Sequence, residues 1–255
     1  MSINIQPHIE QRPHLKDPLE FYAKWQHFHG KAVSLLPKRG STPNDDSRAY
    51  PSDSVVPLLR AFTSVFGLSD EELAPLAKAL TGNEIDFMRL PLDEMPALAL
   101  PYAEEEQASL FFLLSRPFFL ALRQVCLLDG REWEGGRCPL CSARPALASI
   151  VEGPRRHLHC SWCGTTGPYR FIGCPNCGNE NTTKLGTLVP EGGEAGFRIS
   201  TCDDCHTYIK VAEGRVLEEM TADLADLASL PLDIVAQEKG YTRRAPNPIG
   251  LKKIT

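Results

Sequence analysis

Residues 1–125 contain no cysteine, although the 255-residue chain has nine. Long apolar runs are missing too. The most apolar stretch, Leu110 to Leu128, is broken by Arg116, Pro117, Arg123 and Gln124, whereas a bilayer takes about 20 uninterrupted apolar residues. That stretch reads as a buried core helix, and membrane insertion is not expected. Met1 to Arg12 is polar and lacks the apolar segment of a secretory signal, which predicts a cytoplasmic protein. An excess of one charge is absent as well: a formal net charge of −5 gives no global attraction to nucleic acid or anionic lipid. No glycine-rich phosphate loop, no His-Glu-x-x-His and no Gly-x-Ser-x-Gly elbow occurs, so no enzyme is expected.

What is present is a cluster of thiols. Four Cys-x-x-Cys pairs, Cys138/Cys141, Cys160/Cys163, Cys174/Cys177 and Cys202/Cys205, fall within 68 residues. A reducing compartment disfavours disulfides and favours metal binding by paired thiols. Two intervening residues let a tight turn aim both sulfurs at one ion, and two such knuckles complete a tetrahedron. Eight thiols therefore predict two four-sulfur sites. Sequential pairing leaves inserts of 18 and 24 residues, while joining the first pair to the third would thread the chain across itself. Sequential pairing is expected. Pro139 and Pro175 lie inside knuckles, and Gly164 and Gly178 follow them, where a left-handed conformation turns the chain away.

Spacing does not choose the ion, because zinc and mononuclear iron both accept four sulfurs in a tetrahedron. His157, His159 and His206 flank the knuckles, but eight thiolates suffice, so these are read as strand or surface residues. Cys126 is read as a small buried hydrophobe. Saturated four-cysteine sites leave no open position for Lewis-acid chemistry. Residues 131–212 carry nine basic and eight acidic groups, formally +1. Each divalent ion held by four thiolates adds −2, so the loaded segment sits near −3, unlike the basic face of a nucleic-acid-binding ribbon. Arg155-Arg156 and Arg243-Arg244 are read as solvated pairs.

The fold class expected is α+β: an N-terminal helical bundle, two tandem rubredoxin-like or zinc-ribbon four-cysteine modules, and a short C-terminal helical tail. The corresponding boundaries are 1–130, 131–172, 173–215 and 216–255. Apolar spacing predicts helices over Pro18–Leu36, Val55–Phe66, from Ser69-Asp70-Glu71-Glu72 onward, and over Ala103–Leu128, with Pro117 kinking or breaking the last. Glu104-Glu105-Glu106 reads as a solvated helix start, Lys38 to Asp53 as a loop, and Gly130 with Gly135-Gly136 as a flexible joint. Short β pieces are expected at Ala146–Val151, Arg156–His159, Thr187–Val189, Phe197–Ile199 and Thr207–Val211. Helices return at Leu217–Leu227 and Pro231–Gln237, before an extended basic end.

The residues around the cysteines resemble a known family. Cys138-Pro-Leu-Cys141 with Arg144-Pro145, and Leu158-His159-Cys160-Ser161-Trp162-Cys163-Gly164, carry the resemblance together with Cys174-Pro-Asn-Cys177. It continues through Thr201-Cys202-Asp203-Asp204-Cys205-His206-Thr207-Tyr208-Ile209-Lys210, Asp223-Leu224-Ala225, Leu232-Asp233-Ile234, Gly240-Tyr241 and Asn247-Pro248. Over about residues 136–250 the chain resembles the formate dehydrogenase accessory (FdhE-type) family. Ser142 and His206 stand where that family often has glycine, and Gly167 where an aromatic residue is common. The resemblance implies a cytoplasmic maturation factor with two rubredoxin-like metal sites, iron being favoured and zinc remaining possible. It also implies binding to the catalytic subunit of a formate dehydrogenase, with Asp203 and Asp204 as candidate partner contacts. A rubredoxin-like electron carrier and a nucleic-acid-binding zinc ribbon are the alternatives.

Overall fold

The architecture comes from a computed structural model, which describes residues 4–36, 52–82, 84–92, 98–126, 128–150, 155–190 and 193–254. Contacts divide the chain into two units, 1–127 and 128–255. Most of the expected Lys38–Asp53 loop lies outside the described residues.

The first unit holds helices α1 (Gln6–Gln11), α2 (Lys16–Leu35), α3 (Ser52–Phe66), α4 (Asp70–Thr81) and α5 (Glu104–Cys126). Leu19, Tyr22, Trp25, Phe28 and Ala32 recur every three or four residues along α2 and are all buried. That stripe faces α3 and α5, and α4 packs on α3. Helix α4 begins at a capping box: Ser69 N–H donates to the Glu72 carboxylate at 2.6 Å, and Glu72 N–H donates to Ser69 Oγ at 3.3 Å.

Helix α5 corrects one expectation, since it runs through Pro117 unbroken. A proline inside a helix leaves the carbonyl four residues earlier without its donor, here that of Leu113. The Trp25 indole N–H donates to this carbonyl at 3.2 Å, in a buried contact from α2. Tertiary packing thus replaces the missing helical bond. By length and composition α5 could cross a bilayer, but 56% of its most apolar window is buried inside the protein. Arg116, on the same helix, is buried with its guanidinium 4.4 Å from the Trp25 ring centroid. Cys126, expected to be buried, is only partly so.

The second unit is built on one six-stranded sheet. Its strands are β1 (Leu147–Ile150), β2 (Arg155–His159), β3 (Thr166–Arg170), β4 (Leu185–Leu188), β5 (Phe197–Cys202) and β6 (Thr207–Glu213), in the order β3-β2-β1-β6-β5-β4. Each trio is an antiparallel meander, and the two meanders meet where β1 runs parallel to β6, Leu147 beside Lys210. The sequence predicts modules strung in tandem; the parallel pairing instead fuses them. Strand β3 was not foreseen, because Thr166-Gly167-Pro168-Tyr169-Arg170 carries no strong strand pattern.

Helices α6 (Gly214–Glu219), α7 (Ala222–Ala228) and α8 (Leu230–Glu238) cover one sheet face. The expected single helix over Leu217–Leu227 is divided because Thr221 caps α7, accepting from Leu224 N–H at 3.3 Å. Leu147, Phe197, Ile199, Tyr208 and Ala212 pack there with Ala225, Ala228, Leu232 and Ala236.

Four charged groups lie inside this layer. Lys210 Nζ sits 2.7 Å from Asp226 Oδ1 and 2.5 Å from Asp233 Oδ2. Arg243 reaches both carboxylates, at 2.5 Å and 2.9 Å, and Tyr208 O–H donates to Asp233 at 2.6 Å. Two cations against two anions leave the set neutral. Arg243 was expected to be solvated; it is buried because it ties the chain end to α7 and α8, with Nε donating to the Ala245 carbonyl. Arg156 departs likewise, being buried over the Tyr169 ring.

The glycines read as a joint have a different use. A Cβ on Gly136 would lie 1.8 Å from the Pro175 carbonyl oxygen, so glycine permits close contact between the two meanders' knuckles. Gly167 is required for a similar reason. The Arg131 carbonyl oxygen would lie 2.0 Å from a Cβ there, and Trp133 N–H donates to the neighbouring Pro168 carbonyl at 3.0 Å.

Burial pushes the Asp226 carboxyl up, but Arg243 and then Lys210 outweigh it and hold the group below its ordinary 3.8. Such a carboxylate stabilises the fold above its unfolded pKa, and the contribution is lost as pH falls through the folded value. Asp226→Asn should lower stability by about 3 kcal/mol at neutral pH in denaturant titration. The gap from the parent chain should close only below about pH 4. A gap that is negligible at pH 7, or unchanged in strong acid, would contradict this account.

Candidate metal centre

The four knuckles share one construction. In the first three, the leading cysteine's carbonyl accepts the N–H of the residue four further on: Ser142, Gly164 and Gly178, at 2.8 to 3.0 Å. Its N–H donates to the residue beyond that, Ala143, Thr165 or Asn179. The turn requires a left-handed residue after the second cysteine. All four are left-handed: Ser142 (φ 61°), Gly164 (72°), Gly178 (80°) and His206 (50°). Serine and histidine adopt this conformation at a cost of about 1–2 kcal/mol that glycine avoids. His206 is held there from the chain end, whose Thr242 N–H donates to its carbonyl at 2.8 Å.

The fold places these knuckles in equivalent positions. One precedes the first strand of each meander and the other forms the turn before the third, so sequential pairs converge. The sulfurs of Cys138, Cys141, Cys160 and Cys163 form one group, and those of Cys174, Cys177, Cys202 and Cys205 the other, each within 4.8 Å of one another. Cys138–Cys163 and Cys141–Cys160 are 3.4 Å apart, Cys174–Cys205 is 3.7 Å and Cys177–Cys202 is 3.8 Å. A disulfide needs about 2.05 Å. A tetrahedron with metal–sulfur bonds of about 2.3 Å has an edge of about 3.8 Å. The donor set fits a tetrahedral ion of the zinc or iron kind.

Electrostatics agrees. Burial pushes the Cys141 and Cys160 thiols up, while hydrogen bonds from Cys141, then Cys160 and Cys163, hold Cys138 down. Without a cation, the Cys138 thiolate is therefore favoured while Cys141 and Cys160 keep their protons. A divalent ion bound by all four sulfurs reverses this preference and expels the protons, leaving a net charge of −2. In the second group burial pushes Cys205 up to about 12 against a hydrogen bond from Thr207.

The two groups differ in access. All four cysteines of the first are buried, whereas Cys177 is exposed and Cys205 partly so in the second. The histidines do not reach sulfur as ligands. His159 is buried with its ring nitrogens 2.8 Å from Ser149 Oγ and 3.1 Å from Thr166 Oγ1, and burial pushes its pKa down to about 4. Asp203 accepts the Tyr241 O–H at 2.6 Å, and Asp204 lies 4.0 Å from Cys177 Sγ. Only Asp204 of this pair faces a cysteine.

Two supporting residues escaped the sequence reading. Thr165 Oγ1 lies 3.1 Å from Cys163 Sγ, and Thr207 Oγ1 lies 3.0 Å from Cys205 Sγ. Hydroxyls so placed can donate to a thiolate and lower its charge density. The signal is a repeat, Cys-Pro-x-Cys followed by Cys-x-x-Cys-x-Thr, which occurs twice. Arg144 links the two halves, donating to the carbonyls of Gly135 at 2.9 Å and Pro175 at 3.1 Å.

The fold and these sites define a class: a protein carrying two four-cysteine groups, each able to hold a metal ion, on a shared sheet. The family model of the FdhE C-terminal domain matches residues 172–249. A protein FdhE homolog of Shewanella oneidensis is 37% identical over 117 residues, 44% of this chain and 37% of its own. Protein FdhE of Escherichia coli K12 is 30% identical over 199 residues, covering 75% of this chain and 59% of its own. The crystal structure of the FdhE protein from Pseudomonas aeruginosa superimposes with a TM-score of 0.65 at 21% identity, covering 91% of this chain and 88% of that one, and shares its fold. The chain belongs to the FdhE-type family, and its aligned stretches span 37% to 59% of these curated relatives' lengths.

Unequal access predicts unequal lability. With zinc in both sites, a chelator should remove one equivalent about tenfold faster than the other, and among the eight paired cysteines iodoacetamide should label Cys177 first. Mass spectrometry follows both. Simultaneous loss, or first labelling within Cys138–Cys163, would contradict the difference.

Proposed function

We propose that this protein is an accessory factor for a formate dehydrogenase, binding the immature catalytic subunit during assembly or activation rather than catalysing a reaction. The observation that carries the reading is the pairing of FdhE-type membership with two four-sulfur groups. An ion held by four protein thiolates has no position left for substrate, so its contribution is structural or electronic. Iron is favoured by the family resemblance, and zinc fits the same donors. In this reading the eight cysteines are the metal ligands, and the loop bearing Asp203 and Asp204 lies on the client-facing side.

A second reading, a rubredoxin-like electron carrier, is favoured by one feature: Cys177 leaves the second sulfur group open to solvent. A redox partner would approach there. The two readings make different demands on the metal. An electron carrier requires iron, whereas an assembly factor can work with zinc.

Affinity capture of the chain from cells accumulating immature formate dehydrogenase should retain the catalytic subunit. Deletion should abolish formate oxidation while leaving the subunit's abundance largely unchanged. Activity restored by a colourless, zinc-only protein would support assembly over electron transfer. No capture, together with normal formate oxidation after deletion, would overturn the accessory role.

A further inference from the structure

Strand β4 ends the sheet, and no described strand pairs with its outer edge. Native edges are blunted by charge, proline or a covering segment, because unpaired backbone groups template the addition of another strand. Leu185-Gly186-Thr187-Leu188 contains no charge and no proline, and Val189, the next residue, is 71% exposed. Asp203 N–H donates to the Lys184 carbonyl at 2.9 Å, which fixes the alternation along the β4–β5 pair. Gly186 and Leu188 face β5 with their backbone groups, and Thr187 turns its N–H and carbonyl outward. Neither has a partner among the described residues.

A cavity of about 220 Å³ lies beside this edge. It occupies the sheet face opposite α6–α8, since Arg198 and Ser200 alternate with the core residues Phe197 and Ile199. Thr187 stands opposite Ser200 in the register and shares that face. Ile209, Val211 and Leu185 form an apolar floor, and Phe171 and Ile172, 49% and 54% exposed, stand at the rim. No carboxylate lines the cavity. Arg156, next to Cys174, is engaged by the Gly173 carbonyl and the Tyr169 ring. Arg198 has no hydrogen-bond or ion-pair partner among the described residues.

We propose that β4 receives an extended segment of a partner protein as a seventh strand, with an acidic side chain reaching Arg198 and an apolar side chain two positions away, on the same face, resting on Phe171 and Ile172. In strand addition, backbone bonds supply affinity and alternate side chains supply specificity. A residue paired with Thr187 points its side chain to the cavity face. There it meets a cation flanked by the Ser200 and Thr187 hydroxyls. The inference goes beyond the accessory-factor reading and does not depend on which client is served.

The test uses the zinc-loaded full chain and the peptide acetyl-Val-Thr-Glu-Thr-Val-amide, followed by amide NMR. Shifts should centre on residues 185–189 and 198. Replacing the peptide's glutamate with glutamine should weaken binding about tenfold, the scale of one charge-assisted contact. N-methylation of the glutamate amide should abolish binding while leaving the protein untouched. Arg198→Glu should reverse the preference towards a lysine peptide. Equal affinity for the glutamate and glutamine peptides, or shifts confined elsewhere, would overturn the proposal. So would a concentration-dependent dimer that protects β4, since a second copy would then be the occupant.

Discussion

Four thiols converging within a few ångströms in a buried space impose the main constraint on this protein. Ionised and uncompensated, they would repel one another in a medium that stabilises charge poorly. Protonated, they would fill a site whose sulfur spacing matches the edge of a metal tetrahedron. A cation resolves the conflict, and the surrounding structure is arranged to keep the sulfurs where a cation needs them. Each knuckle turns through a left-handed residue, and one hydroxyl in each group approaches a sulfur.

The second level of organisation joins the two sites. Parallel pairing of β1 with β6 merges the meanders, Gly136 lets the knuckles touch, and Arg144 bonds to both sides of that contact. On the opposite face, the Lys210, Asp226, Asp233 and Arg243 set ties strand, helices and chain end together. Such a network contributes less net stability than apolar packing of equal volume, yet losing one member leaves a buried charge unpaired. The chain end also pairs with His206 through Thr242, so a segment with little regular structure steadies the fourth knuckle.

Much of the site was legible in the sequence because Cys-x-x-Cys spacing is local chemistry. Each pair makes its own turn, and insert lengths suggest the partner. Helical periodicity in α2 and the Ser69 capping box were legible for the same reason. The misses are non-local. Nothing near Pro117 reveals that Trp25, 92 positions earlier, supplies the absent hydrogen bond. Nothing around Arg243 marks it as buried, because its carboxylate partners arrive from α7 and α8. Gly136 and Gly167 resembled flexibility or substitution, although each permits a backbone contact set by tertiary structure. The parallel β1–β6 pair was similarly invisible, since hydrophobic alternation does not name a strand's neighbour.

Membership of the FdhE-type family goes with two four-cysteine groups able to hold metal, one enclosed and one open to solvent. The claim beneath every functional reading is that both groups bind metal through four sulfurs. X-ray absorption combined with metal analysis of anaerobically purified protein tests it most directly. Two ions per chain, each with four sulfurs at about 2.3 Å, are predicted. A single ion per chain, nitrogen or oxygen among the bound atoms, or cysteines recovered as disulfides would contradict it.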